Sequence, residues 1–284
     1  MDSATITFPL FGDSFSLDFP RYISIFGYNI YIYGLLITAG FILAAVYLLR
    51  RSKSLGLTKD NMLDLVIMAV PFGLIGARIY YIIFNASNYF GAGKWLNIFM
   101  LREGGLAVYG GVIGGAIAFY VYSRVKKIPV GKLFDAASFG LFIGQALGRW
   151  GNFVNREAFG TETAMPWRMG LKWDSHTIYV HPTFLYESLW NIVGFVLLHI
   201  FSKRVGRKYN GQYFLFYVAW YGFGRYMIEG LRTDSLYIGS SDVRVSQLLA
   251  ALSFSVAVVL LIRNYFRYRS NPVLSVENGV ESQG

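Results

Sequence analysis

The sequence predicts an all-α integral membrane protein with about seven transmembrane helices. Of its 284 residues, 55% are hydrophobic and only 15% are charged, whereas a soluble domain usually carries about 25% charged residues. Aromatic residues make up 18% of the chain, and tyrosine and tryptophan are enriched at membrane–water interfaces. A bilayer-spanning helix needs roughly 20 mostly apolar residues, so the chain can form several spans and has little room for a soluble domain.

Seven stretches of the chain are apolar enough to form these helices. The first, third and seventh are the clearest, because long parts of them carry no charge, and the other four each contain one or two charged residues. The predicted helices cover residues 23–49, 62–84, 104–123, 133–154, 183–202, 211–231 and 244–263. We therefore expect a single polytopic membrane domain over residues 1–270, followed by a short polar cytoplasmic tail at 271–284.

The distribution of lysine and arginine predicts the orientation of the helices, since these residues favour the cytoplasmic side of a span. One set of loops and tails carries fifteen basic residues and the opposite set carries eight. The richer set is expected to be cytoplasmic, which places the N-terminus outside and the C-terminus in the cytoplasm. The longest outside connection, at about 156–182, mixes polar and aromatic residues and predicts a small extracytoplasmic cap.

Composition also excludes several classes of protein and site. The formal charge of +10 comes from basic residues in short loops between apolar stretches, which argues against a nucleic-acid partner. The chain has no cysteine, so it forms no disulfide and has no thiolate nucleophile or Cys-ligated metal of its own. Its three histidines do not have the spacing of metal ligands. We expect neither a metal nor a cofactor.

Five charged residues fall inside the predicted helices, where each costs roughly 2.5–3.5 kcal/mol on insertion scales and usually serves a function. They are Arg78, Arg149, Glu187, Arg225 and Glu229. Since helices two, four and six would run outward and helix five inward, all five are expected in the outer half of the bilayer. Arg225 and Glu229 are four residues apart on one helical face, which favours an ion pair.

Two interpretations of these charges remain open. In the structural one, they form two salt bridges and one arginine extends its charge to the interface. In the functional one, three arginines against two carboxylates leave an excess positive charge that binds an anion. A guanidinium suits a phosphate group, and the anion available at this depth is the headgroup of a phospholipid in the outer leaflet.

Glycines and a dense polar segment accompany the charges. The four-residue spacings in the pairs Gly110-Gly111 and Gly114-Gly115 are typical of helix packing, although close approach of a lipid to the backbone is an alternative. The segment 148–160 combines an arginine, two asparagines, a glutamate and glycines at the predicted membrane exit of helix four.

This segment, from Gly148 to Gly160, resembles the signature of the bacterial prolipoprotein diacylglyceryl transferases. Further matches follow in the same order along nearly the whole chain. They are Tyr33-Gly34, Gly76-Ala77-Arg78, Gly104-Gly105 through Gly110-Gly111, His181-Pro182, Tyr186-Glu187 and Tyr221-Gly222-Phe223-Gly224-Arg225.

The resemblance implies a seven-span transferase of the bacterial cytoplasmic (inner) membrane, with its active site toward the outer leaflet. Such an enzyme transfers the diacylglyceryl group of phosphatidylglycerol to the lipobox cysteine of prolipoprotein signal peptides. The transfer forms a thioether, releases glycerol 1-phosphate, and is the first step of lipoprotein maturation. Among membrane lipids the donor is phosphatidylglycerol, and the thiol comes from the protein substrate.

The site residues follow from the resemblance and from the polar groups at the same depth. By position, the resemblance implies that Arg149 binds phosphatidylglycerol and that Arg225 is a second essential arginine. The expected catalytic residues are Arg149, Arg225, Tyr109 and Glu157. The expected substrate-binding residues are Arg149, Asn152, Asn155, Gly160, Arg78, Tyr33, Tyr221 and Glu187.

Tyr109 departs from the family pattern, because many members have histidine there, and that histidine has been proposed as a base. We therefore assign no histidine base to this chain. A phenol can donate a hydrogen bond, so Tyr109 is expected to orient the lipid headgroup.

Two other functions are less consistent with the sequence. A transporter or channel would need polar residues that continue to the inner face, and Asp135 is the only such charge in the sequence. A transferase that moves glycerol phosphate to another acceptor would need a metal site, for which the sequence has no cluster of aspartate or histidine.

Overall fold

A computed structural model describes residues 4–12, 15–91, 95–100, 104–174, 176–239 and 241–270. The predicted tail at 271–284 lies outside the described residues. Within them, seven α-helices contain most of the chain. They are α1 Ile32–Arg51, α2 Lys59–Phe84, α3 Val108–Lys126, α4 Val130–Asn155, α5 Thr183–Arg204, α6 Gln212–Glu229 and α7 Val245–Ser270.

Four of these helices, α1, α2, α5 and α7, are long and apolar enough to cross a membrane by length and composition. This confirms the predicted membrane character of the chain. The other three, α3, α4 and α6, contain 19, 26 and 18 residues. The predicted number of about seven spans and the predicted orientation remain predictions.

Six short strands accompany the helices in the described residues. They are β1 Thr5–Thr7, β2 Ser16–Leu17, β3 Tyr22–Ile25, β4 Tyr28–Tyr31, β5 Met169–Lys172 and β6 Thr177–Val180.

The hairpin of β3 and β4 corrects the first predicted helix, which was expected to begin at residue 23. Tyr22 pairs with Tyr31 and Ile25 with Tyr28. The two turn residues, Phe26 and Gly27, have φ angles of 51° and 80°, as a two-residue hairpin turn requires. Alternating isoleucine and tyrosine favour a strand, and α1 begins only at Ile32. The third helix was likewise predicted too long, because Gly104 and Gly105 have φ angles of 85° and 73° and α3 begins at Val108.

The chain divides into two compact units, residues 1–46 with 137–284, and residues 47–136. In the first unit, β1, β2, β5 and β6 form an antiparallel sheet in the order β2-β1-β5-β6. Ile6 pairs with Leu171 and both are fully buried. The segment predicted as a cap, 156–182, therefore contains a β-hairpin that pairs with the N-terminal strand, which puts these two segments at the same end of the unit.

Tryptophan stacking sets the register of α5 against α6 in the first unit. The rings of Trp190 and Trp220 stack with centroids 4.4 Å apart, and each indole N–H donates to the other residue's carbonyl oxygen at 2.9 Å. A Cβ added to Gly224 would lie 2.1 Å from Nε1 of Trp190, so only glycine allows this approach. Trp190 is one helical turn beyond Glu187, and the packing brings Glu187 and Arg225 to one level.

Glycines hold α2 against α3 in the second unit. A Cβ on Gly76 would lie 2.3 Å from the carbonyl oxygen of Gly110, and one on Gly114 would lie 2.3 Å from that of Phe72. The packing role predicted for Gly110 and Gly114 is thereby confirmed. An added Cβ on Gly115 would meet nothing within 4 Å among the described atoms.

Candidate active site

A buried carboxylate, Glu187 on α5, is the centre of an ionic cluster in the first unit. Its Oε2 lies 2.8 Å from Nη2 of Arg149 on α4. Its Oε1 lies 3.1 Å from Nη1 of Arg225 on α6 and 3.5 Å from Nη1 of Arg232. Only 4% of Glu187 is exposed, so one desolvated carboxylate holds three guanidinium groups from three parts of the chain.

A second buried carboxylate, Glu229, completes the ionic cluster, which we define as Arg149, Glu187, Arg225, Glu229 and Arg232. Nη2 of Arg225 lies 2.5 Å from Oε2 of Glu229, which confirms the predicted ion pair. The arginine side chains are 21%, 16% and 11% exposed in chain order. Within the cluster, three guanidinium groups face two carboxylates.

The exposed side of Arg232 carries a further acid. Its Nε and Nη2 donate to the two carboxylate oxygens of Asp234 at 2.9 and 2.7 Å. The hydrogen bond from Arg232 lowers the pKa of Asp234 below its ordinary value of 3.8. Asp234 is 49% exposed, so solvent screens this pair far more than it screens the contacts of Glu187.

A chain of polar contacts leads from Arg149 to Glu157. Nη1 of Arg149 donates to Oδ1 of Asn152 at 3.2 Å. The amides of Asn152 and Asn155 both donate to Oε1 of Glu157, at 3.0 and 3.2 Å. The chain reverses after α4 through Arg156, whose φ of 53° is in the left-handed region. This turn brings Glu157 back to the last turn of α4 and groups four of the predicted site residues.

Gly160 allows three segments to meet beside the ionic cluster. Its N–H donates to the carbonyl of His181 at 3.0 Å, and it pairs with Arg232 in a single antiparallel bridge. A Cβ at this position would lie 2.7 Å from Cβ of His181 and 3.1 Å from the carbonyl oxygen of Leu231. The close approach of these backbones explains the glycine and places Arg232 within reach of Glu187. A direct contact between Gly160 and substrate remains a prediction.

Two predicted tyrosines lie on the helices that carry the cluster arginines or pack beside them. The ring of Tyr33, at the start of α1, lies against Gly151, where an added Cβ would be 2.0 Å from Cδ2. Tyr33 is also within electrostatic reach of Glu157 and Arg149. Tyr221 stacks on Tyr217 with a centroid distance of 5.8 Å and precedes Arg225 by one helical turn.

Arg78 and Tyr109 belong to the second unit. The Arg78 guanidinium donates to five backbone carbonyl oxygens, those of Asn97, Ile98, Met100, Gly104 and Gly105, at 2.5–3.4 Å. A guanidinium has five N–H groups, so these contacts occupy its donors. Arg78 is 6% exposed, and its hydrogen bonds hold the backbone of the segment before α3 against α2. Its predicted lipid contact gains no support from this geometry and stays a prediction. Tyr109 is the second residue of α3 and is 42% exposed.

Sequence reasoning missed Arg232 and the structural role of Arg156, both of which were counted as ordinary loop cations. Arg156 is 8% exposed. Its guanidinium donates to the carbonyls of Ala4 and Phe19 at 2.8 Å and pairs with Asp18 at 3.0 Å. The clustering of acids and arginines between Arg225 and Asp234 was the signal that could have indicated Arg232.

An apolar cavity of about 180 Å³ opens between α4 and α5. Its lining includes Ala146, Trp150, Ser188 and Ile192. The Ser188 hydroxyl donates to the carbonyl of Ala146 at 2.9 Å and accepts from Nε1 of Trp150 at 3.2 Å. Since Trp150 and Ser188 directly follow Arg149 and Glu187 in the chain, one end of the apolar cavity is formed by the same turns of α4 and α5 that carry two residues of the ionic cluster.

Arginines next to an apolar cavity in a helical membrane protein define a class of site that suits an amphiphile with an anionic headgroup. Comparison with known proteins makes the class specific. A family model described as prolipoprotein diacylglyceryl transferase matches residues 20–263. The chain therefore belongs to the prolipoprotein diacylglyceryl transferase family and is a transferase, which confirms the resemblance.

Curated relatives agree with this assignment, and each carries the name phosphatidylglycerol–prolipoprotein diacylglyceryl transferase. The protein from Clostridioides difficile (strain 630) is 44% identical over 229 residues, which cover 81% of this chain and 88% of the relative. The one from Enterococcus faecalis is 39% identical over 262 residues, 89% of this chain and 92% of the relative. The one from Listeria welshimeri is 41% identical over 254 residues, 87% and 89% of the two chains.

Proposed function

We propose that this protein transfers the diacylglyceryl group of phosphatidylglycerol to the thiol of a lipobox cysteine in a prolipoprotein. The observation that carries the proposal is the convergence of Arg149, Arg225 and Arg232 on the buried Glu187, in a chain of this family. The carboxylate holds the guanidinium groups in place before a lipid arrives, so little reorganisation is needed to bind a phosphate.

The reaction is a displacement at carbon. The sulfur of the cysteine forms a bond with the glycerol carbon that carries the phosphate, and the carbon–oxygen bond to the phosphate breaks. The bonding electrons leave with glycerol 1-phosphate, which gains negative charge. The thiol proton ends on solvent, on the released phosphate or on an acidic side chain. The main electrostatic demand on the enzyme is stabilisation of the departing phosphate, and removal of the thiol proton is the second.

Arg149 is the residue best placed to meet that demand. Among the described residues, it uses one hydrogen bond from each terminal nitrogen, to Glu187 and to Asn152, so donors remain for a phosphate oxygen. Arg225 supplies a second positive charge, because its Nη1 donates to both carboxylate oxygens of Glu187, at 3.1 and 3.2 Å. Since donors fixed in a dry site act on charge as it develops, loss of one such group typically costs about 10²–10³ in rate.

Glu157 is our candidate for the proton acceptor. Its Oε1 accepts from the two asparagine amides, which hold the carboxylate in one orientation. Only roughly a few to ten per cent of a free thiol is thiolate near neutral pH, so a carboxylate that accepts the proton would assist. Tyr33, Tyr109 and Tyr221 are proposed to contact the lipid headgroup, and the apolar cavity to hold part of an acyl chain.

The proposed setting is the bacterial cytoplasmic (inner) membrane, with seven spans, the N-terminus outside and the site toward the outer leaflet. The pairing of β1 with β5 supports this topology, because four crossings by α1 to α4 would return the chain to the side on which it began. Reporter fusions at residues 161–174 should read outside and fusions after Lys127 cytoplasmic; the reverse would refute the orientation.

The decisive assay mixes the purified protein, phosphatidylglycerol and a peptide with a lipobox cysteine, and follows the mass of the peptide. The expected result is a gain of one diacylglyceryl group on the cysteine, together with release of glycerol 1-phosphate. The matched Cys→Ser peptide should be a very poor acceptor, because an alcohol is hardly ionised at neutral pH. Equal modification of both peptides, or no transfer by the folded protein, would contradict the proposed function.

A further inference from the structure

A second cavity, of about 490 Å³, lies in the unit of residues 47–136. It lies where the connection between α1 and α2 meets the connection between α3 and α4. Three of its lining residues are lysines, Lys53, Lys127 and Lys132, and the described lining contains neither aspartate nor glutamate. We call it the lysine cavity. It plays no part in the proposed transfer.

The lysine cavity lies at the far end of α2 from the segment that Arg78 fastens. The helix begins at Lys59, so Arg78 is about 28 Å further along at 1.5 Å per residue. That distance is close to the thickness of the hydrocarbon core of a bilayer, about 30 Å. Since α2 is long and apolar enough to cross a membrane, the lysine cavity is at the membrane surface where α2 begins.

The wall of this cavity is held in place by hydrogen bonds of both backbone and side chains. Thr58 and Asn61 form a reciprocal cap at the start of α2, with both bonds at 3.1 Å. The Asn61 amide also donates to the hydroxyl of Tyr122 on α3 at 3.0 Å, and that hydroxyl donates to Asp64 at 2.7 Å. On the opposite side, the N–H of Ile128 donates to the carbonyl of Ser123 at 3.1 Å. The cavity is therefore formed before any ligand binds.

The three lysines bring their positive charges to one cavity from different backbone settings. Lys127 is the C-cap of α3, where a cation is favourable to the helix dipole. Lys132 lies in the first turn of α4, where the helix dipole by itself disfavours a cation. A ligand with negative charge would add a favourable interaction with each of the three ammonium groups.

We infer that the lysine cavity binds the phosphate of an anionic phospholipid headgroup in the leaflet at the start of α2. Lysine binds phosphate as a point charge, and basic pockets between helices at a cytoplasmic membrane surface bind such headgroups. The lipid is retained and not consumed, and each lysine contributes about a fivefold gain in binding. The inference does not depend on the transfer reaction.

Native mass spectrometry of the full chain in mixed micelles provides the test, with phosphatidic acid as the anionic probe and phosphatidylcholine as the neutral one. The wild type should retain phosphatidic acid in preference to phosphatidylcholine. The variant K53Q/K127Q/K132Q should lose that retention by about 100-fold, from three fivefold losses. The variant K53R/K127R/K132R should restore it, which separates binding from a folding defect.

A matched control removes the same charge elsewhere. The variant K203Q/R204Q/R263Q loses three exposed cations from α5 and α7 and should retain phosphatidic acid like the wild type. Equal loss in this control, or undiminished retention in the lysine-cavity variant, overturns the inference. Displacement of the lipid by millimolar inorganic phosphate would show a soluble phosphate site and would also overturn it. Transfer activity in the lysine-cavity variant should stay within about twofold of wild type.

Discussion

Replacement of Glu187 by glutamine tests whether this carboxylate holds the ionic cluster together. The side chain keeps its shape and one acceptor oxygen but loses its charge. It is 4% exposed, and its contacts with Arg149, Arg225 and Arg232 are 2.8, 3.1 and 3.5 Å long. The change therefore leaves three guanidinium groups facing one remaining buried carboxylate, Glu229.

The size of the effect follows from these contacts. Loss of one partner from a fully buried ion pair costs about 3–5 kcal/mol. The arginine side chains are 11–21% exposed and glutamine still accepts one hydrogen bond, so we expect about 2–3 kcal/mol in the free energy of unfolding. At roughly 2–4 °C per kcal/mol for a chain of this size, the Tm should fall by about 4–12 °C.

Thermal unfolding in detergent micelles measures this change, and Asp234→Asn is the matched control. Asp234 also loses a charge that pairs with an arginine, but it is 49% exposed, so its replacement should cost less than about 1 kcal/mol. Transfer to a lipobox peptide should fall strongly in folded Glu187→Gln and only slightly in Asp234→Asn. If both variants lower the Tm equally, Glu187 does not organise the cluster.

Three further predictions concern Tyr109, the apolar cavity and Asp234. Tyr109→Phe should raise the activation free energy of transfer by only about 1–3 kcal/mol, the size of one polar contact, and Tyr109→His should stay active. If Tyr109→Phe is inactive at neutral pH and regains activity only at high pH, Tyr109 is the base. Ala146→Phe should fill the apolar cavity and raise the KM for long-chain phosphatidylglycerol more than the KM for short-chain lipid. The control variant Val193→Phe, on the exposed face of α5, should change neither KM. Equal effects of Ala146→Phe on both chain lengths would show that the cavity does not bind the acyl chain. Arg232 lowers the pKa of Asp234 in the folded protein, so this pair stabilises the fold above the unfolded-state pKa of the carboxyl and ceases to do so as pH falls through the folded-state pKa. The Tm difference between wild type and Asp234→Asn should therefore vanish in acid. A difference that persists in acid would contradict the ion pair of Arg232 with Asp234.

Much of the site could be predicted because charge inside an apolar helix is costly and needs a reason. That argument identified Arg149, Glu187, Arg225 and Glu229, and helical spacing alone predicted the pair of Arg225 with Glu229, which the structure confirms. The glycine spacing of α3 predicted a helix-packing face, and the structure shows that α2 packs there.

Two of the misses have a different cause, because they depend on backbone that is distant in sequence. Arg232 reaches Glu187 only because Gly160 lets two segments approach. Arg78 meets five carbonyl groups whose orientation is set by a later loop. The hairpin at residues 22–31 was a local miss. Its residues are apolar enough to extend a helix, but alternating isoleucine and tyrosine and the turn at Phe26 and Gly27 make them two strands.

Transfer by Arg149 variants tests the central claim, that a guanidinium clamp on the lipid phosphate drives the reaction. Single-turnover transfer from phosphatidylglycerol to a lipobox peptide should be abolished in Arg149→Ala, with the Tm showing that the protein is folded. Arg149→Lys should also lose most activity, because an ammonium cannot reproduce a two-pronged contact with phosphate. Near wild-type transfer in folded Arg149→Ala would contradict the clamp.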